Sequence, residues 1–401
     1  MSGSSFTRPS TEFIIRAAFM MSLTALSIDM MLPALPNIGG DLGVEDANST
    51  QLIVSLLMLG MAFGQIIYGP LSDSIGRKKA IALGYGVFVV GCVLCFTATT
   101  YEQMLLGRLL QGTGVAAPRI VTVAVIRDKF EGRVMAQILS YVMSVFILVP
   151  AIAPALGQGV MFLGPWQLIF VALLVLAIAA AVWFMLRQEE TLPPERRRPY
   201  SFKSVYLAAK EVITHPSALG YTLITGAIQG SFLAYLNTSQ QTFQVLYGLG
   251  EWFPACFAAL ALAIGMASIV NARIVVKYGM RKIIRTALLA ETAMSLVFLG
   301  LALATKGVPP LPAVMVYLMV TLFCTGLLFG NLNALAMQPL GHIAGMGAAV
   351  VGAGSTLMSV PIGIVIGQAY NETVIPLVAG FLLMPALSLI ILRCIKPQAD
   401  D

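Results

Sequence analysis

The sequence predicts an all-α integral membrane protein in which about twelve transmembrane helices form two pseudo-symmetric six-helix bundles. The chain of 401 residues is 58% hydrophobic and only 10% charged, with a mean hydropathy of +0.88. A soluble protein of this size needs far more charge on its surface. Apolar segments of about 20 residues, each able to cross a ~30 Å hydrocarbon core, recur along the whole chain. A basic, glycine-marked turn also occurs twice, about half a chain apart.

Each apolar segment is predicted to be a helix, because backbone polar groups in lipid can be paired only within helices or closed barrels. The segments lie near residues 14–36, 50–72, 79–99, 103–126, 134–162, 166–187, 217–238, 252–274, 283–304, 311–334, 344–369 and 373–394. Pro33 and Pro36 should bend the first segment, and Pro150 and Pro154 the fifth.

The repeated turn divides the chain into two similar halves. Its first copy, at residues 69–79, reads GPLSDSIGRKK, and a reduced copy, YGMRK, lies at residues 278–282. Gly76 and Gly279 are 203 positions apart. A membrane chain built from two similar halves is typical of a transporter whose site lies between them.

The domain organisation follows from this repeat and from the longest hydrophilic stretch. Residues 1–187 are predicted to form the first bundle and residues 216–401 the second. Residues 188–215 are predicted to be a cytoplasmic linker, which ends in an amphipathic helix on the membrane surface.

The charged residues predict the orientation. Basic residues gather at alternate segment ends: Arg8, Arg16, Arg77, Lys78, Lys79, Arg127, Lys129, Arg133, Arg187, Arg196, Arg197, Arg198, Lys203, Lys210, Lys277, Arg281, Lys282, Arg285, Arg393 and Lys396. The opposite ends carry Asp41, Glu45, Asp46, Glu102, Glu251 and Glu372, with Lys306 as their one basic residue. By the positive-inside rule, both termini are cytoplasmic and the number of spans is even. The first span is expected to be retained, because it lacks a signal-peptide cleavage pattern.

Several function classes are disfavoured. The sequence pI of about 9.1 does not indicate nucleic-acid binding, because the basic residues follow membrane loops. Cys92 and Cys95 lie inside an apolar segment of a chain with two histidines, which favours helix packing over a metal or redox site. No phosphate-binding loop or catalytic cluster is found in the sequence. We therefore expect a protein that is not an enzyme, has no cofactor and takes its energy from an ion gradient. We also expect a monomer.

Three ionisable residues inside the predicted spans of the first half are candidates for proton coupling, because intramembrane charges are expensive. Asp29 lies in the first span, and Arg108 and Arg119 lie in the fourth. The two arginines are 11 residues apart, which places them within about 20° on one helix face. Residue counting places Asp29 between them in depth, so either could be its partner; a fixed structural ion pair is the alternative. Proximity to an arginine would favour release of a proton from Asp29.

A fourth intramembrane ionisable residue, Glu291, is interpreted differently. It follows Arg285 by about six residues. We expect Arg273 or Arg285 to neutralise it near the cytoplasmic face.

The first copy of the turn predicts a cytoplasmic gate. Its members are Gly69, Asp73, Gly76 and Arg77 of the turn, with Asp128 at the end of the fourth span. Pairing of Arg77 with both carboxylates would form a latch that holds one face of the protein closed. The alternative is that these charges only mark topology, which the basic residues do in any case.

A substrate pocket is predicted from polar and aromatic residues in the seventh and tenth spans, because aromatic faces with a few polar groups accept varied amphiphilic molecules. The candidates are Gln229, Phe232, Tyr235, Asn237, Asn331 and Asn333. Interhelical hydrogen bonds by the amides and packing by the rings are an equally plausible interpretation.

These motifs resemble those of the major facilitator superfamily, and in particular of its 12-helix drug:H⁺ antiporters. The segment at 69–79 is similar to the loop signature G-x-x-x-D-x-x-G-R-[KR]-[KR], and residues 108–114 (RLLQGTG) to the fourth-helix signature R-x-x-Q-G-x-G. Residues 150–157 (PAIAPALG) resemble the fifth-helix antiporter signature, with Pro150, Pro154 and Gly157 in place. There, Ala153 stands where the family often has glycine, and Gln158 where a second glycine is usual. The first-span segment at 28–36 resembles the bicyclomycin/chloramphenicol-resistance type.

The resemblance implies a multidrug efflux transporter of the bacterial inner membrane, which exchanges small amphiphilic compounds for protons by alternating access. It implies a role for Arg108 in proton coupling, whereas Arg119 lies outside the signatures. Asp73 and Arg77 correspond to Val276 and Met280 in the second copy, so the two halves are unequal. Together with the placement of Asp29, Arg108 and Arg119, this predicts proton handling and gating in the first half and a second half that mainly completes the pocket. The alternative is a transporter of a metabolite, such as a sugar or amino-acid derivative, on the same fold.

Overall fold

The computed structural model describes residues 10–197 and 199–395, apart from the side chain of Arg133. Three basic residues of the charge pattern, Arg8, Arg198 and Lys396, lie outside the described residues. The described part is built from helices and connecting loops. Its α-helices are α1 (Thr11–Asp29), α2 (Leu35–Asp41), α3 (Leu52–Ile75), α4 (Arg77–Phe96), α5 (Tyr101–Lys129), α6 (Gly132–Met161), α7 (Gln167–Arg187), α8 (Phe202–Thr214), α9 (Pro216–Gln240), α10 (Phe253–Tyr278), α11 (Met280–Ala304), α12 (Leu311–Met337), α13 (Ala344–Gln368) and α14 (Ile375–Cys394).

Twelve of these helices, all except α2 and α8, are long enough to span a membrane, which confirms the predicted fold class. Their bounds follow the twelve predicted segments closely. Helix α9 carries amides and hydroxyls along its length, and nearly all of it is buried inside the protein. A protein interior tolerates these groups better than lipid does, because they can be hydrogen-bonded there.

The first predicted span is broken, as its prolines indicate. Helix α1 ends at Asp29, a 3₁₀ turn covers Leu32–Ala34, and α2 completes the crossing. Pro33 has no N–H group to donate to the carbonyl of Asp29, four residues earlier, so the helix cannot continue in register. By contrast, α6 runs without interruption through Pro150 and Pro154.

The helices pack in two groups. In the first half, α5 lies between α3 and α4, and α1 packs against α6 and α5. In the second half, α9 packs against α13, α14 and α12, and α11 against α12 and α14. The halves meet along two helix pairs, α3 with α13 and α6 with α10. The domain boundaries at residues 187 and 216 stay a prediction.

Two ends of this bundle can be distinguished by charge. The basic end carries the loops around Arg77 and Arg281, and the acidic end carries Asp46, Glu102 and Glu251. Helix α8 lies at the basic end, where Ala208 and Val212 are buried against α13 and α9.

Candidate functional site

Asp29 is a buried carboxyl at the point where α1 breaks. Its side chain is only 4% exposed, and within the described residues its Oδ1 atom has no hydrogen-bond partner. Burying a charged group without a partner is costly, so a carboxyl in this position favours a bound proton. Asp29 therefore has the setting that a proton-exchange site requires.

Arg108 stabilises the backbone next to Asp29 rather than its carboxylate. The guanidinium is fully buried and donates to the Ser27 carbonyl of α1 at 2.8 Å, to the Ile53 carbonyl of α3 at 2.9 Å and to Gln111 Oε1 at 2.7 Å. The carbonyls in the last turn of a helix lack intrahelical partners. Arg108 thus caps the broken end of α1 and joins three helices.

The expected pairing of Asp29 with an arginine is not observed. In the part of the chain that the structure describes, neither Arg108 nor Arg119 forms an ion pair with Asp29. Arg119 instead lies over the ring of Phe146 of α6, with 5.9 Å from its guanidinium carbon to the ring centroid. The two arginines also contact different helices, since Arg108 bonds α3 and α1 and Arg119 packs on α6. Their roles in proton coupling stay a prediction.

The second half contributes an aromatic cluster next to Asp29. Tyr235 of α9 lies within Coulombic range of the Asp29 carboxyl. Its ring stacks on Phe257 of α10 at 5.8 Å, and Phe232 lies edge-on to Phe329 of α12, also at 5.8 Å. The Tyr235 hydroxyl is buried and, like Asp29, has no hydrogen-bond partner among the described residues. A carboxyl and a phenol from opposite halves thus face one apolar region.

The predicted pocket residues have different surroundings. Gln229 is half-buried on α9, one turn from Phe232, and Asn333 is exposed one turn from Phe329. Asn331 bonds Asn271 of α10 at 2.7 Å, so this amide joins two helices of one half. Asn331 therefore makes the interhelical hydrogen bond that is the alternative to a pocket role.

The fifth-helix signature packs directly against the Asp29 region. A Cβ atom at Gly157 would overlap the carbonyl oxygen of Met30, so only glycine allows α6 to approach α1 this closely. Pro154 is buried one turn before it, and Pro150 is half-buried. These positions place the backbone that carries Asp29.

The predicted gate residues come together at the basic end. Arg77 is buried and forms ion pairs with Asp73 and with Asp128, the latter at 2.9 Å, and donates to the Ser72 hydroxyl at 2.8 Å. The cluster joins α3, α4 and α5, which all belong to the first half. These ion pairs therefore do not themselves bridge the two halves, as a latch between them would. Gly69 does face the second half, because a Cβ atom added to it would lie 3.6 Å from the Ala349 methyl group.

Glu190, which the sequence interpretation missed, completes this cluster. Its carboxylate accepts hydrogen bonds from the backbone N–H groups of Arg77 at 2.9 Å, Lys78 at 3.1 Å and Leu192 at 3.0 Å. Helix α4 starts from Gly76, which has no side chain to cap it and a φ of 99° that favours glycine. An uncapped helix start in a loop with few acids was the signal that could have indicated Glu190.

The N–H groups also affect the acidity of Glu190. Partial burial alone would raise the pKa of this carboxyl, but the backbone donors of Leu192, Arg77 and Lys78 outweigh it and lower the pKa below its ordinary value. The ionised form therefore stabilises the fold above that ordinary value, and this contribution is lost as the pH falls through the lowered pKa.

We expect Glu190→Gln to lower the free energy of unfolding at pH 7 by about 1 kcal/mol, because the α4 start loses its charged cap. Glu189→Gln is the matched control, since the carboxyl of Glu189 neighbours Glu190 but is exposed. Thermal unfolding in detergent measures both. The difference between Glu190→Gln and wild type should shrink as the pH falls below the lowered pKa, and a difference independent of pH would contradict the assignment.

A second cluster, at the acidic end, does bridge the halves. We call it the acidic-end seal, and its members are Asn48, Gln51, Ser55, Asn237, Gln241 and Gln368. Gln51 donates to Gln241 Oε1 at 2.6 Å, and Gln241 donates to Asn48 Oδ1 at 2.9 Å. Gln368 donates to the Asn48 carbonyl at 2.8 Å. Uncharged amides thus close this end.

Asn237, predicted as a pocket residue, belongs to this seal. Its amide donates to the Ser55 hydroxyl of α3 at 3.0 Å and to the Gly363 carbonyl of α13 at 3.3 Å. The other members were missed, because amides at helix ends are common and only the approach of the two halves makes them partners. Their one signal was the concentration of uncharged amides at the acidic ends of the spans.

We expect Gln51→Ala to shift the protein toward a state open at the acidic end. It removes two inter-half hydrogen bonds, to Gln241 and to the Gly367 carbonyl, each worth about 1 kcal/mol. Their sum of about 2 kcal/mol corresponds to a rise of about thirtyfold in the open population. Spin labels at Glu45 and Glu251, both exposed, on a background without other cysteines would report it as a longer distance component.

Gln103→Ala is the matched control for that measurement. Gln103 lies at the same end but bonds only within the first half, to Leu94 and Thr97. A distance distribution that Gln51→Ala leaves unchanged, or that both variants change equally, would contradict a sealing role.

Glu291 is not neutralised as predicted. Its side chain is fully buried on α11, whereas Arg273 and Arg285 are exposed. The carboxyl faces α12 instead, beside Thr325. The expectation was wrong because residue counting gives depth but not the direction in which a side chain points.

Comparison with known proteins adds a family match to this geometry. The family model described as Major Facilitator Superfamily matches residues 17–392. An MFS-type transporter of Bacillus subtilis (strain 168), YdgK, described as uncharacterized, is 28% identical over 375 residues, which are 91% of each chain. The multidrug resistance protein MdtL of Escherichia coli O9:H4 (strain HS) is 28% identical over 353 residues, 85% of each chain.

Among solved structures, the human organic anion transporter MFSD10 (TETRAN) is similar with a TM-score of 0.72. The match covers 96% of this chain and 99% of that one at 17% sequence identity. At this identity, the likeness shows the fold alone.

Proposed function

The chain belongs to the major facilitator superfamily, and from this premise we propose that it is a proton-coupled exporter of small amphiphilic drugs or toxic compounds. As a multi-pass membrane transporter of this fold, it would work by alternating access between its two halves. The proton gradient would supply the energy, and no cofactor would be needed.

The observation that carries the proposal is the buried carboxyl of Asp29 beside the aromatic cluster, whose Oδ1 atom has no hydrogen-bond partner among the described residues. A proton and a cationic or polar drug group cannot both occupy such a carboxyl favourably, so binding of one promotes release of the other. The apolar faces of Phe232, Tyr235 and Phe257 would take amphiphilic molecules of varied shape. The name of MdtL supports drugs rather than a single metabolite.

The charge pattern supports an orientation in which the basic end and both termini are cytoplasmic, in the bacterial inner membrane. The acidic-end seal would then close the outer side. Opening of the seal would expose Asp29 to the outer side. The Arg77 cluster would stabilise the first half during this change.

Transport into inside-out membrane vesicles tests the proposal. With an acidic interior, vesicles that contain the protein should accumulate ethidium and members of an antibiotic panel, and collapse of the pH gradient should release them. Vesicles without the protein are the control. Uptake that does not respond to the gradient would overturn the proposal, and saturable transport of one sugar or amino-acid derivative would favour a metabolite transporter instead.

A further inference from the structure

The second half contains a buried carboxyl that the proposed function does not use. Glu291 of α11 is fully buried, and in the described chain neither of its carboxylate oxygens has a hydrogen bond. Thr325 of α12 lies beside it, outside hydrogen-bonding geometry, and its hydroxyl is also unpartnered there. An ionised carboxylate in this position would have no cation, and only the Thr325 hydroxyl beside it, to offset its burial. A bound proton removes the charge and gives Glu291 an O–H group, which can donate a hydrogen bond to the Thr325 hydroxyl.

The groups around Glu291 contain no cation at its level in the described residues. Helices α12, α14 and α10 pack against α11. The titratable groups of these helices are Tyr317 and Cys324 on α12, Arg393 and Cys394 on α14, and Cys256, Arg273, Lys277 and Tyr278 on α10. Of these groups, Tyr317 and Cys324 are the ones close enough to interact electrostatically with the carboxyl, and both are neutral groups in an apolar setting.

A row of hydroxyls leads from Glu291 toward the acidic end. Tyr317, Thr321 and Thr325 are four residues apart and therefore line one face of α12. Thr321 lies beside the Tyr317 hydroxyl, which is 2.9 Å from the Ser295 hydroxyl of α11. We call these four residues the hydroxyl ladder. Each hydroxyl can both donate and accept, as a relay of protons requires.

The depths of these groups agree. Glu291 lies 13 residues before the end of α11 at Ala304, which is about 20 Å from the acidic end. Thr325 lies 14 residues after the start of α12 at Leu311, about 21 Å from that end, whereas Tyr317 lies only about 9 Å from it. The hydroxyl ladder thus spans most of the distance between Glu291 and the acidic end.

We propose that Glu291 is a second proton-binding site, which exchanges its proton with the acidic end through the hydroxyl ladder. Proton binding at Glu291 does not depend on the proposed function, but its use in coupling does. Each transport cycle could then carry a proton in each half, one at Asp29 and one at Glu291.

Infrared spectroscopy of the full-length protein in lipid bilayers tests the site directly, because a neutral carboxylic acid has its own carbonyl stretching band. At neutral pH, Glu291→Gln should lose one component of this band, and Asp29→Asn should lose another. Glu291→Asp should retain the component at a shifted position. Thr292→Val is the matched control, since Thr292 neighbours Glu291 but bonds the Leu288 carbonyl of its own helix. A band that Glu291→Gln leaves unchanged would overturn the proposal.

Hydrogen–deuterium exchange of the same band tests the relay. Replacement of Thr321 and Thr325 together by Val should slow exchange of the Glu291 component at least about tenfold while leaving the band in place, and an unchanged rate would overturn the relay.

These results are separable from the transport test. If Glu291→Gln removes its component but transport ignores the pH gradient, the proton site stands and the antiport proposal fails; the reverse result overturns the site and leaves antiport standing.

Discussion

Asp29→Asn is expected to reduce drug accumulation driven by a pH gradient to the level of vesicles without the protein. Asn has nearly the shape of Asp but cannot bind or release a proton, so the cycle loses the step that links the two movements. Binding of the drug should weaken to the level of the protonated wild type, because Asn carries no charge, but it should not be abolished, because the aromatic cluster of Tyr235 and Phe257 is unchanged. Drug-for-drug exchange across the membrane, which needs no proton, should therefore persist.

The pH dependence of exchange separates coupling from folding. Exchange by the wild type should slow as protons compete for Asp29, whereas exchange by Asp29→Asn should not vary with pH through this site. Glu102 is an exposed acid at the acidic end, so Glu102→Gln is the control and should behave as the wild type. Accumulation by Asp29→Asn that still follows the gradient would assign coupling to another group, of which Glu291 is the first to examine.

Most of the fold could be predicted, because a lipid environment constrains the sequence strongly. Hydropathy and length locate the spans, and the break in the first follows from Pro33, which removes one donor four residues after Asp29. The burial of Asp29 was predictable because few positions in such a chain carry charge and this one lies inside a span. The association of Arg77 with Asp73 and Asp128 was predictable because opposite charges at neighbouring helix ends attract each other.

The partners of the site were harder to predict. Helical phase and depth indicated that Arg108 or Arg119 pairs with Asp29. The break in α1 instead frees the Ser27 carbonyl, and the Arg108 guanidinium binds that acceptor. Pairs such as Gln51 with Gln241 depend on how the two halves approach each other. No local pattern encodes that approach, so contacts between distant segments were the ones missed.

Arg108→Ala is expected to lower the free energy of unfolding by about 3 kcal/mol. The change leaves a void in the core and an unsatisfied Ser27 carbonyl, and it removes the link between α1, α3 and α5. Thermal unfolding in detergent measures the loss. Arg119→Ala is the matched control: its guanidinium is half-buried over Phe146, and loss of that contact should cost about 1 kcal/mol.

Arg108→Lys shows whether the residue also positions Asp29. The lysine side chain is shorter, and its ammonium group cannot donate to Ser27, Ile53 and Gln111 together, so the end of α1 should move. More of this variant than of Arg108→Ala should remain folded. If Arg108 holds Asp29 in its site, the pH profile of drug exchange should shift in the folded fraction of this variant. If this variant yields less folded protein but keeps the wild-type pH profile, Arg108 has only a structural role. A residue that only supports the fold changes the amount of active protein and not the pH dependence of its exchange activity.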